Sequence, residues 1–103
     1  MGTILVIGGR YQGKRKFASE TFPGRTILFL KDIYDSEELE KAMSGDVVII
    51  AEENSSGIVS ADPLENRFRE EYNHALLLVA DRAEEVYRVF CGIPKMIKPG
   101  RLP

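Results

Sequence analysis

Lys14 closes a glycine-spaced stretch, Gly8-Gly9-Arg10-Tyr11-Gln12-Gly13-Lys14, with the G-x-x-x-x-G-K spacing of a phosphate-binding loop. Such a loop wraps a phosphate with backbone N–H groups, and its lysine reaches the outer phosphates. The next position in the pattern is a Ser or Thr whose hydroxyl holds Mg²⁺, but here it is Arg15. A guanidinium has no acceptor to offer a cation. The binding groups of a cradle are therefore present, while one group that serves metal-assisted transfer is replaced. Arg10, Lys14, Arg15 and Lys16 place four cations within seven residues, a local field that attracts anions. Lys16 reads as part of a solvated helix face. The candidate cofactor-binding set is Gly8, Gly9, Arg10, Gly13, Lys14 and Arg15, and Lys14 is also a candidate catalytic group.

The acidic candidates follow an apolar run. Asp46-Val47-Val48-Ile49-Ile50-Ala51 leads into Glu52 and Glu53, and carboxylates at a strand end are suited to holding Mg²⁺ directly or through water. Of the two, Glu53 is the preferred candidate. Asp32 is a weaker one, expected at the end of the preceding strand. His74 has neither a second ligand at metal spacing nor a carboxylate among its sequence neighbours Ala75, Leu76 and Leu77, and reads as a helix-surface or packing residue. Cys91 reads as a small core residue of a strand.

These residues need elements to hold them. Residues 3–8 form a continuous apolar run, as in a strand covered on both faces, and 14–20 read as a short helix opening on the glycine loop. A second buried strand is expected over 26–31. Asp35 with Glu38 gives a helix start of capping-box type, with Leu39, Ala42 and Met43 on one face and a stop near Ser44-Gly45. The third strand is 46–51, followed by a loop at Asn54-Ser55-Ser56-Gly57. Asp62-Pro63 opens the longest helix, whose stripe of Leu64, Phe68, Ala75, Leu76 and Val79 should face the sheet. Residues 85–91 alternate as a strand, Gly92-Ile93-Pro94 reads as a turn, 95–98 as a short pairing strand and 99–103 as a loose tail. The alternation of strands and helices predicts an α/β domain, a P-loop NTPase-like sandwich. Its sheet is mainly parallel and flanked by helices, with an antiparallel C-terminal element.

The chain has 103 residues, enough for one domain over 1–103. Hydrophobic residues make up 44% and charged residues 29%, the balance of a folded protein rather than a disordered one. A net charge of −2 predicts neither nucleic-acid nor membrane partners. A lone cysteine and no membrane-length apolar run suit a cytoplasmic protein.

Three segments, in order, resemble the adenosylcobinamide kinase/adenosylcobinamide-phosphate guanylyltransferase family of cobalamin biosynthesis. They are the strand with Gly8–Lys14, the stretch Val47–Val59, and Phe68–His74 followed by Ala83–Lys98. The resemblance implies a nucleotide-binding protein using ATP or GTP, with a corrinoid as acceptor of a phosphoryl group. It also implies a homo-oligomer, Lys14 on the phosphates and Glu53 near a metal. The departures are Arg15 for the family's serine and Tyr11-Gln12 for its Arg-Ser. The family's segment carrying the histidine that takes GMP is also missing between the second strand and residue 46. Guanylyl transfer is therefore not expected. The alternative is a non-catalytic descendant that binds an anion, a nucleotide or a partner subunit.

Overall fold

The computed structural model describes residues 2–9, 13–52 and 63–98. The expected loop at 54–57, the Asp62 cap and the tail at 99–103 lie outside the described residues. The elements are β1 (Thr3–Gly8), α1 (Lys14–Thr21), β2 (Thr26–Phe29), α2 (Leu30–Ile33), α3 (Ser36–Met43), β3 (Val47–Glu52), α4 (Pro63–Arg82), β4 (Glu85–Phe90) and β5 (Ile93–Lys98). They form one sheet of order β2-β3-β1-β4-β5, in which the β1–β3, β1–β4 and β2–β3 pairs are parallel and β4–β5 is antiparallel. This is the expected fold class.

Strand periodicity sorts the core into two layers. Leu5 and Ile49 point to the face covered by α2, α3 and α4, and join Leu30, Leu39, Tyr72, Ala75 and Val79. Ile4, Val6, Val48, Ile50 and Val89 point to the opposite face, where Ala18 of α1 is fully buried among them and Phe17 packs alongside. Continuous apolar runs such as Val47–Ala51 are thus buried on both sides. Asp35 caps α3 as its sequence predicts, its Oδ1 accepting the Glu37 amide at 2.9 Å.

Five expectations need correction. The second strand ends at Phe29, not at 31, because Leu30 turns inward as the first residue of α2 and is 0% exposed in the larger cluster. Asp32 consequently lies on this helical turn, exposed, and not at a strand end. Cys91 is exposed at φ 52 and pairs with Gly92 at φ 76 to make the two-residue turn of the β4–β5 hairpin. Positive φ at both central residues matches the twist of the flanking strands. Pro94 therefore falls within β5 and not in a turn. Phe68, expected to face the sheet, is 41% exposed and packs edge-on against Tyr34 and stacked on Tyr72.

Candidate functional site

In an open α/β sheet, ligands sit beyond the carboxyl ends of the strands where the chain's connections diverge. Here that place is the end of β1, whose neighbours are β3 and β4. Gly8 ends β1, and its register partner is Glu52, the last residue of β3. A Cβ on Gly8 would lie 2.5 Å from the Val89 carbonyl oxygen of β4, so this strand end admits only glycine without backbone movement. Gly13 precedes α1 at φ 88, the left-handed conformation that favours glycine, with its Cα side against Gly92 of the hairpin turn. Both glycines of the spacing thus have backbone reasons for their identity.

Lys14 is the first residue of α1 and is 8% exposed. Its stem runs past Gly8, and its Nζ donates to the Gly9 carbonyl oxygen at 2.5 Å, satisfying the ammonium inside the loop. Burial holds the ammonium below the ordinary lysine range, and the Glu52 carboxylate pulls partly in the other direction. A lysine whose charge is costly in its present surroundings gains from an anion that approaches it. Arg15 and Lys16 are exposed on α1, and Gly9 is half-buried. Arg10 and Glu53 lie outside the described residues.

Glu52, ranked below Glu53 from the sequence, is the carboxylate that the described site contains. Its backbone is held from α4. The Glu52 amide donates to Tyr72 Oη at 2.9 Å, and Tyr72 Oη donates to the Glu52 carbonyl at 3.2 Å. Tyr72 is 7% exposed, and burial pushes its hydroxyl above the ordinary tyrosine range. The sequence reading missed it, although a signal was present: Tyr72 fills the gap in the helical stripe between Phe68 and Ala75.

The described residues alone do not make an all-protein Mg²⁺ site. They offer the Glu52 carboxylate and, after Lys14, a guanidinium, and among them no group of three His, Cys, Asp or Glu could hold a metal ion. His74 is exposed on α4, as its sequence suggests. Asp35, Glu70 and Glu71 line an open depression of about 440 Å³ with it; Glu70 and Glu71 lie one helical turn before it on α4, a spacing the residues following His74 do not reveal, and the fold adds Asp35. No described helix is long and apolar enough to cross a membrane.

The family model of cobinamide kinase / cobinamide phosphate guanyltransferase matches residues 28–97. That is more than half of the 103 residues, and the chain belongs to this family. The match covers β3, α4 and both strands of the hairpin, and leaves the glycine loop outside it. Comparison with curated proteins gives no match. Family membership supports a nucleotide-binding role in cobalamin biosynthesis.

Proposed function

We propose that this member of the cobinamide kinase family binds the phosphates of ATP or GTP over its glycine loop and transfers a phosphoryl group to a corrinoid hydroxyl. The observation that carries the reading is the buried Lys14, seated at the start of α1 with its ammonium on the Gly9 carbonyl and the Glu52 carboxylate at the neighbouring strand end. An incoming phosphate takes over the ammonium from Gly9, and the first amides of α1 add donors and dipole. Catalysis by such a site is positioning plus neutralisation of charge on the transferring group. Lys14 supplies the neutralisation, Arg10 and Arg15 add field, and Glu53, next in sequence after Glu52, takes the catalytic acidic role. Kinase chemistry is favoured over guanylyl transfer because the chain's single histidine, His74, stands exposed on α4 and not at the loop. A homo-oligomer is part of the proposal, supported by the exposed Phe90, Ile93, Met96 and Ile97 of the hairpin.

Calorimetric titration with ATP and GTP, with and without Mg²⁺, tests the reading. Binding is expected to persist without metal, and Lys14→Met should weaken it by at least about tenfold, or about 1.4 kcal/mol. Arg15→Ser should make binding more dependent on Mg²⁺. Heat of binding for neither nucleotide, or equal binding by Lys14→Met, would reject the phosphate site. Binding without phosphoryl transfer to a corrinoid would favour the non-catalytic alternative.

A further inference from the structure

We infer that Tyr72 is a positioning residue of the phosphate site: its hydroxyl replaces a missing strand beside Glu52 and so fixes that carboxylate's backbone opposite Gly8. The argument begins with register. β2 pairs with β3 from Thr26↔Val47 to Phe29↔Ile50, and the chain then leaves the sheet into α2. β3 continues for two more residues, Ala51 and Glu52, without β2 beside it. In a parallel ladder one residue presents its N–H and C=O to the same neighbour, and at Glu52 both groups go to one atom, Tyr72 Oη. A hydroxyl can do this because it accepts and donates at once. A phenylalanine at 72 would leave two backbone groups without these partners, each costing about 1–3 kcal/mol if buried.

The tyrosine is itself held. Its ring stacks on Phe68 at 5.9 Å, and its helix packs on the sheet through Ala75 and Val79. Its other faces lie in the larger apolar cluster. The link therefore runs from the α4 core, through one oxygen, to the strand end that faces Lys14. This explains why β3 keeps strand geometry up to Glu52.

The inference rests on reading Lys14 and Glu52 as facing groups of one site. Its test uses no nucleotide, so a failed nucleotide titration leaves it standing, and its own failure leaves nucleotide binding open. In ¹⁵N-labelled protein, Tyr72→Phe should speed amide hydrogen exchange at Glu52 at least about tenfold while Val48, Ile49 and Ile50 keep their protection. At constant pH it should move the Lys14 Nζ resonance in the same direction as Glu52→Gln does, and the double variant should move it no further. Uniformly faster exchange along β3 would overturn the inference and make Tyr72 a core residue only. An unmoved Lys14 resonance in Tyr72→Phe, with Glu52→Gln shifted, would overturn it as well. Should Tyr72→Phe fail to fold, the unaltered protein decides: a slowly exchanging Tyr72 hydroxyl proton, with a nuclear Overhauser effect to the Glu52 amide, is expected, and its absence rejects the link.

Discussion

The two faces of the sheet are covered unequally. One carries α2, α3 and the 20-residue α4, which bury Leu30, Leu39, Ala75 and Val79 against Leu5 and Ile49. The other carries α1, 8 residues long, which buries Ala18 against Ile4, Val6 and Ile50, with an aromatic group of Phe17, Phe22 and Tyr87 at its edge. The thinner layer bears the glycine loop and Lys14, and the thicker one supplies the tyrosine that anchors Glu52. Stability and ligand contact are thus drawn mainly from opposite sides, and they meet at the paired residues Gly8 and Glu52.

That contrast is open to direct attack. Ile49 and Ile4 are 0% and 1% exposed on opposite faces of adjacent strands, so truncating each compares the layers at fixed chemistry. Ile49→Ala should cost about 4 kcal/mol and Ile4→Ala about 3 kcal/mol in urea unfolding, because the thinner layer collapses more readily on a cavity. Equal costs, or the reverse order, would show that α1 packs as tightly as the three helices opposite. A smaller loss is expected at the junction. Gly8→Ala forces a methyl toward the Val89 carbonyl at 2.5 Å and should cost about 2 kcal/mol, with the same measurement deciding. A neutral result there would mean that β1 and β4 part freely at the site.

The smallest effect belongs to Tyr87, at the edge of the thinner layer. Burial first, and then its hydrogen bond to Glu85 Oε1 at 2.5 Å, push its hydroxyl up to about 12. The folded value lies above the unfolded value of about 10, so the neutral form is favoured in the folded state. Its contribution is complete below about pH 10 and is lost as pH rises through about 12. The urea midpoint should fall across that window, and Tyr87→Phe should fall less steeply; parallel curves would assign the loss to other groups, Tyr72 included.

Much of this organisation was legible in the residues. The apolar runs at 3–8 and 46–51 and the Asp35 cap each carry a local physical signal and are realised within a residue or so, while of the stripe on α4 Ala75 and Val79 are buried in the core and Phe68 is not. Gly8 and Gly13 were legible as a motif, but the reason for Gly8 is tertiary, since a Cβ there would meet β4, while that for Gly13 is its left-handed backbone at φ 88. The misreadings have separate causes. Leu30 looks like strand because apolar runs do not say whether burial comes from sheet or helix. Cys91-Gly92 lacks the usual Asn-Gly signature of its turn, so Gly92-Ile93-Pro94 drew the turn assignment instead. The partnership of Tyr72 with Glu52 joins residues 20 apart in sequence and depends on where β2 stops, which local pattern does not encode.

Pro94 sets how far this sheet can grow. It pairs with Val89 next to the hairpin's closing pair, Phe90 and Ile93, at a position whose nitrogen points away from β4 toward the open edge of β5. Having no N–H, it leaves a gap in the row of donors that an added strand would need. A second molecule laid edge to edge would lose a rung there, so the order β2-β3-β1-β4-β5 does not propagate into a fibre-like continuous sheet. In the homo-oligomer proposed above, contact between copies would fall instead on side chains that stand off the sheet's surface, such as Phe90 and Ile93, 67% and 69% exposed. The same residue that obscured the strand in the sequence keeps its edge from acting as a template.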